Sequence, residues 1–174
     1  MTELIAPFRL GSMHVAALSD GVGQQQPSDW FPGVPDEEWM AAVGATDPTA
    51  TLPVNFGSFL VRRGDTTALI DTGNGERTRG QHQGAAGLLD RMADLGVTPE
   101  DVDVVLLTHF HGDHVGWNVL DDGGPITFSN ARYYLHYMDL AFLNNEANTG
   151  AGTDFSRSRV LPVREAGQLA TFDG

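Results

Sequence analysis

The chain has 174 residues, 41% of them hydrophobic and 19% charged, which is typical of one folded domain long enough to bury a core. Its net charge of −13 argues against a nucleic-acid partner, because phosphate backbones require clustered Lys and Arg. The absence of cysteine excludes disulfides, thiolate nucleophiles and cysteine-based zinc sites.

The first half of the chain predicts strands, one long loop and a short helix. "FRLGSMHVAALSD" indicates two short strands around Gly11. A stretch rich in Pro and Gly follows, in which a helix is predicted from Asp36 to Val43, with acidic residues in its first turn. "NFGSFLVRRGDTTALIDTG" then predicts a hairpin that turns at Gly64.

The second half alternates helices with strands. Apolar residues at helical spacing predict a helix that is closed by Gly96, and Thr98 with Pro99 predicts a single helical turn. An apolar strand is expected from Val102 to Thr108. "PITFS", "ARYYLHY", "SRVLPV" and "GQLATF" predict further strands, and "MDLAFLNNE" predicts a helix. The fold class is therefore α/β.

The last residues resemble the start of a hairpin. "QLATFDG" is an extended apolar run that finishes on Asp173-Gly174, a two-residue hairpin signature, with no second strand after it. We therefore expect the sequence to stop in mid-fold; the alternative is a frayed terminal strand.

Half of the six histidines lie in "LLTHFHGDHVGW", residues 106–117. In extended chain His109, His111 and Asp113 share one face, and a turn at Gly112 would bring His114 to the same place. This spacing suits two adjacent metal sites, His109 with His111 for one ion and Asp113 with His114 for the other. Imidazole and carboxylate ligands suit Zn, and also Fe or Mn. The alternative is that these side chains only pack or form hydrogen bonds.

The same stretch resembles the His-x-His-x-Asp-His signature of the metallo-β-lactamase fold superfamily, and "LIDTG" at 69–73 is similar to the segment that precedes it there. The chain looks most similar to the branch of methyl parathion hydrolase-like and acyl-homoserine lactonase-like enzymes. The resemblance implies an αββα sandwich with two divalent metal ions at one edge. It also implies that Asp71 lies beside the ligands and holds them in place, although Asp-Thr-Gly is equally an ordinary turn sequence.

The resemblance further implies a metal-dependent hydrolase of a small-molecule lactone, ester or phosphotriester. Water activated by the two ions attacks a carbonyl carbon or a phosphorus atom, and Asp113 orients that water and relays a proton. Two alternatives stay open: a non-catalytic or truncated metal-binding homologue, and a thioesterase or thiol dioxygenase on the same scaffold.

The family's remaining ligands, a third histidine, a bridging aspartate and a last histidine, have no counterpart after His114. The only later histidine, His136, is expected in a strand. His82 lies on a loop, where it faces either substrate or solvent, and His14 is expected to be structural. We therefore expect residues 1–174 to be one domain, the N-terminal half of the fold. We expect weak metal binding and little or no hydrolysis unless a complementary C-terminal portion or a homodimer completes it.

Two further expectations concern the wall of the pocket and the location of the chain in the cell. Trp30, Phe31 and Trp117 are candidates for shaping the pocket. No signal peptide is evident and no apolar run approaches about 18 residues, so we expect a cytoplasmic chain without a membrane partner.

Overall fold

The structure is a computed structural model that describes residues 7–81, 83–121 and 123–173. In these ranges seven strands form one sheet: β1 Phe8–Leu10, β2 Met13–Gln25, β3 Leu52–Arg63, β4 Thr66–Ile70, β5 Val104–Leu106, β6 Arg132–His136 and β7 Leu169–Phe172. The helices are α1 Pro27–Trp30, α2 Asp36–Val43, α3 Leu88–Asp94, α4 Gly112–Val115, α5 Tyr137–Asn144 and α6 Ala151–Glu165. Short 3-10 helices occupy Glu76–Thr78, Pro99–Asp101 and Gly116–Asn118. None of these helices has the length and apolarity that crossing a bilayer requires.

The order of the strands in the sheet is the same as their order in the chain. Strands β1 to β4 pair antiparallel, and β4 to β7 pair parallel. The carboxyl ends of β2, β4, β5 and β6 consequently meet at one edge of the sheet, and the loops that follow them lie close together.

One face of the sheet carries the core. Side chains alternate between the two faces of a strand, and the core-facing positions Leu60, Leu69, Val105 and Tyr133 are at most 2% exposed. The helices cover this face, with α3 packed against β2 and α6 against β7.

The opposite face of the sheet is also apolar but is only half buried. Val61, Ala68, Val104, Leu106 and Tyr134 lie there in register across β3 to β6. Central strands that are apolar on both faces are typical of sheets covered on both sides.

Several predicted elements are confirmed. Strands flank Gly11, the helix runs from Asp36 to Val43, and the hairpin turns at Gly64. Thr98 and Asp101 form a capping box around the predicted single turn. The predicted α/β class is therefore correct. Gly174 and His82, on which the terminal hairpin and a possible substrate contact were predicted, lie outside the described residues.

Three strand predictions are wrong in extent or type. "SRVLPV" lies inside α6, where Val160 and Val163 are three residues apart and both face the core. "PITFS" forms only an isolated bridge between Ile126 and Val119, and the strand predicted from Val102 to Thr108 is limited to Val104–Leu106. In each case a short apolar run fits more than one conformation, and packing decides between them.

Candidate metal centre

The candidate site lies where β4 and β5 end. Ile70 pairs with Leu106 in the parallel ladder, and the Asp71 amide donates to the Leu106 carbonyl at 2.9 Å. The segments after these two strands therefore leave the sheet side by side, which brings Asp71 against residues about forty positions later in the chain.

The structure brings the four predicted ligands together. The His109 ring centroid lies 4.6 Å from that of His111 and 4.0 Å from that of His114. Asp113 Oδ2 lies 3.4 Å from His114 Nε2. His111 is exposed, and the other three side chains are partly buried. The cluster thus opens to solvent on the side of His111.

The turn after His111 is the start of helix α4, and the glycine in it has a different role from the one predicted. Gly112 is helical and does not have a positive φ. A Cβ atom at this position would lie 2.7 Å from Arg77 Nη2 and 3.0 Å from the Phe155 ring. Gly112 therefore leaves room for Arg77 and Phe155 and does not supply an unusual backbone conformation.

Asp71 supports this cluster through hydrogen bonds to Thr108 and a contact with His114. It is 5% exposed and adopts a φ of 59°, unusual for a residue with a side chain. Its Oδ1 accepts from the Thr108 amide at 2.8 Å, and its Oδ2 accepts from Thr108 Oγ1 at 2.7 Å. His114 Nδ1 lies 2.8 Å from the same Oδ2. A proton on Nδ1 leaves Nε2, the nitrogen that faces Asp113, free to bind a metal.

The pKa values of His114 and His109 are shifted in opposite directions. Burial lowers the pKa of His114, but hydrogen bonds to Asp113 and Asp71 outweigh it and raise the pKa to about 9. Burial and the neighbouring rings of His114 and His111 lower the pKa of His109. Burial acts to raise the pKa of Asp113, but the hydrogen bond with His114 and the charges of His114 and His109 together lower it. Without metal, the raised pKa of His114 favours its protonated form at neutral pH.

The donor atoms fit a divalent ion as pairs. Bonds of about 2.0–2.2 Å at tetrahedral angles place two ligand atoms about 3.3 Å apart, and Asp113 Oδ2 and His114 Nε2 are 3.4 Å apart. Within the described ranges, no group of three His, Asp or Glu side chains is arranged to hold a metal ion. The side chains present therefore suit a metal in donor type and in pair spacing, but they do not form a complete coordination shell.

Sequence reasoning missed Asp20, a fully buried carboxylate next to the site. It accepts hydrogen bonds from the backbone of Asn74 (2.6 Å), Gly75 (3.0 Å) and Leu88 (2.9 Å) and from Trp117 Nε1 (3.0 Å). Asp20 thereby ties β2 to the loop after β4, to helix α3 and to the end of the histidine segment. Asp20-Gly21 in sequence resembles an ordinary turn, so nothing local indicates this role.

The remaining candidates lie away from the cluster or have other roles. His136 Nδ1 accepts from the Met138 amide at 3.3 Å and caps helix α5, while His14 is an exposed residue of β2. Trp117 is buried on Asp20, so it supports the site from inside, whereas Trp30 and Phe31 are about half exposed. A cavity of about 400 Å³ opens beside His111 and Asp113 and is bounded by residues 150–153.

Residues 58–160 match the sequence family described as the Metallo-beta-lactamase superfamily, and the chain belongs to that superfamily. Ribonuclease Z of Methanopyrus kandleri is 33% identical over 106 residues, which are 61% of this chain and 31% of that protein.

Solved structures show the same fold. The hydrolase AbOPH superposes with a TM-score of 0.79 at 22% identity, over 99% of this chain and 62% of its own. AidC, a dizinc quorum-quenching lactonase, gives 0.79 at 18% identity, over 96% and 60%. A probable metal-dependent hydrolase from Staphylococcus aureus gives 0.76 at 20% identity, over 95% and 61%. The chain thus has the metallo-β-lactamase fold, as predicted, and spans about three fifths of these structures.

Proposed function

We propose that the chain carries one side of the active site of a metal-dependent hydrolase that acts on a small-molecule lactone, ester or phosphotriester. The observation that carries this proposal is the chain of contacts from Asp71 through His114 to Asp113. Asp71 binds one nitrogen of the imidazole at 2.8 Å, and the other nitrogen faces Asp113 Oδ2 at 3.4 Å. Histidines that bind metal ions are typically oriented in this way by a carboxylate on their other ring nitrogen.

In this proposal each residue has a defined task. His109 and His111 hold a first divalent ion, and Asp113 and His114 hold a second, zinc being the best match to imidazole and carboxylate donors, with iron and manganese as alternatives. Such ions supply an activated water and a Lewis acid for the oxygen that becomes negative. Asp113, at the open side of the cluster, orients the attacking water and passes its proton to the leaving group. Asp71 and Thr108 keep His114 in the orientation that this requires.

Small-molecule substrates suit the surroundings better than RNA. The cavity of about 400 Å³ beside His111 and Asp113 lies in the range of small-ligand sites. The similar structures include a lactonase, AidC, and AbOPH, a hydrolase of the same superfamily. One relative is a ribonuclease that is similar over 61% of this chain, but a net charge of −13 opposes the binding of a polyanion.

We further propose that residues 1–174 form one domain that needs a second layer. The half-buried apolar face of β3 to β6 is the surface that such a layer would cover, and a complementary C-terminal portion or a second copy of the chain would supply it. The same layer would add the ligands that each ion lacks.

The first test of the proposal is metal binding. A chain that binds no metal could not be a metal-dependent hydrolase. Zinc content after equilibrium dialysis is compared between the wild type, His111→Ala and the matched control His14→Ala, an exposed histidine of β2. We expect zinc in the wild type and in His14→Ala, and less in His111→Ala. Equal zinc in all three proteins, or none in the wild type, would contradict the assignment.

The substrate class is tested separately. The zinc-loaded chain is assayed against a lactone, an aryl ester, a phosphotriester, a thioester and an RNA. Hydrolysis of one of the first three that His111→Ala abolishes supports the proposal. If only the thioester or only the RNA is hydrolysed, the proposed substrate class is wrong. If the chain instead consumes oxygen with iron and a thiol substrate, the proposed reaction is wrong.

A further inference from the structure

Arg77 is a fixed arginine with an unused donor edge. Its Nε donates to the Asn74 carbonyl at 3.2 Å, and its Nη2 donates to Asn74 Oδ1 at 3.3 Å. Its guanidinium carbon lies 3.7 Å from the centroid of the Phe155 ring, a cation–π contact. In the described part of the chain no carboxylate lies within 4.0 Å of it, and Nη1 has no acceptor.

A cavity of about 620 Å³ opens beside this arginine. The described polar residues of its wall are four glutamines, at positions 24, 25, 81 and 83, together with Asn74, Arg77 and Thr78. The described lining residues include no Asp, Glu or Lys, although the chain has 23 acidic residues. Among the described residues of this wall, Arg77 is therefore the only charged side chain. A lining of one cation and several amides favours a ligand with anionic oxygen atoms.

The cavity lies at the same edge of the sheet as the candidate metal centre. Gln24 and Gln25 end β2, and Asn74 and Arg77 follow β4, whose carboxyl end meets the end of β2 at that edge. Arg77 also touches the histidine segment, since a Cβ atom on Gly112 would lie 2.7 Å from its Nη2. A small molecule bound in the cavity would thus reach towards the cluster.

We infer that this cavity binds the anionic group, a carboxylate or a phosphate, of a small-molecule ligand through Arg77 and the surrounding amides. A guanidinium stays charged at all physiological pH values and pairs with the two oxygens of such groups in a fork geometry. The stacking on Phe155 and the bonds to Asn74 fix the fork before the ligand arrives, which lowers the entropy cost of binding. The inference rests on the proposed function in one respect: the ligand is the substrate or product of the adjacent centre, so the substrate carries a negative charge.

The binding test uses the metal-free, desalted chain, so that metal ions take no part in it. Glutarate, methyl phosphate and the uncharged dimethyl glutarate are titrated separately, and the Arg77 Nε–H signal is followed by NMR. We expect glutarate or methyl phosphate to shift this signal to saturation and dimethyl glutarate to leave it in place. The tighter of the two anions identifies the source of the charge. If neither anion binds, or if the uncharged diester binds equally well, the inference is wrong.

Four variants separate the role of Arg77 from general effects. Arg77→Met should weaken anion binding by at least about tenfold, the loss expected for charge-assisted hydrogen bonds, and Arg77→Lys should retain part of the affinity. The control Arg79→Met removes an exposed arginine that pairs with Glu76, and should bind like the wild type. Gln24→Glu, at an exposed position of the wall, adds a negative charge and should weaken binding even if Arg77→Met does not fold.

The outcomes separate this inference from the proposed function. Anion binding that survives in Arg77→Met, or that Gln24→Glu leaves unchanged, overturns the inference whatever the chain hydrolyses. Anion binding through Arg77 in a chain that takes up no zinc would instead refute the proposed function and leave the anion site standing.

Discussion

Replacing Asp71 with Asn tests the support of the candidate metal centre with little change in shape. The amide oxygen can still accept from the Thr108 backbone, as Oδ1 does at 2.8 Å. The amide NH₂ cannot accept from His114 Nδ1, which loses its partner at 2.8 Å. Loss of such a partner typically weakens metal binding by 10- to 100-fold, or about 1.4 to 2.7 kcal/mol.

Proton competition makes the size of this effect depend on pH. The pKa of His114 is raised to about 9, so removing its proton at pH 7 costs about 3 kcal/mol, at 1.36 kcal/mol per unit. Zinc affinity of the wild type should therefore rise about tenfold per pH unit up to pH 9 and then level off. Asp71→Asn lowers the pKa of His114, so the variant levels off at a lower pH. The two effects oppose each other near neutrality, and the full loss of affinity becomes visible above pH 9.

The assay is zinc titration against a competing chelator from pH 6.5 to above pH 9. The matched control is Asp103→Asn, which alters another carboxylate that accepts a backbone amide, that of Thr67 at 2.8 Å, but lies before β5 at the opposite end of the sheet. We expect Asp103→Asn to follow the wild-type curve. If Asp71→Asn has the same pH profile as the wild type, Asp71 neither orients His114 nor sets its pKa, and the reasoning fails.

Three further predictions concern stability without metal. The pKa of His114 is higher in the folded state than the unfolded value of 6.5, so its contribution to the free energy of unfolding is fully present below pH 6.5 and is lost as pH rises through about 9. Urea unfolding should therefore show a loss of up to about 3 kcal/mol between these pH values, and a free energy of unfolding that does not change with pH would contradict this prediction. Asp20→Ala leaves four donors without their acceptor and should cost at least about 3 kcal/mol in urea unfolding, whereas the control Asp47→Ala, at an exposed turn, should cost clearly less; similar losses would contradict the role given to Asp20. Gly116→Ala places a Cβ atom 2.0 Å from the Asn74 carbonyl carbon and should lower stability by more than about 2 kcal/mol, measured by thermal unfolding; an unchanged Tm would show that this loop can move aside.

The sequence predicts the histidine cluster because its geometry is local. Six residues from His109 to His114 contain all four candidate ligands, and one turn is enough to bring them together. The hairpin at Gly64 is predicted for the same reason, since two apolar runs flank a single turn. Elements of this kind need no information from the rest of the chain.

Features that depend on distant contacts could not be predicted in this way. Asp20 meets Trp117 across 97 positions, and only the folded sheet brings them together. "SRVLPV" is a short apolar run that resembles a strand in sequence, but α6 buries Val160 and Val163 on one side, and that burial decides the conformation. The unused donor edge of Arg77 likewise follows from the positions of Asn74 and Phe155 in the fold and could not be inferred from the residues next to Arg77 in sequence.

The half-buried sheet face and the incomplete coordination of the proposed metal centre have a common geometric origin. His109, His111, Asp113 and His114 all leave the sheet on one segment after β5, so in the proposed centre they would approach a metal ion from one side only. A tetrahedral ion needs ligands on its other side as well. A layer that covered Val104 and Leu106 would lie over the same strand whose end carries these side chains, and its own edge would come close to them. We therefore expect covering the apolar face and completing the metal sites to be thermodynamically coupled, with each strengthening the other.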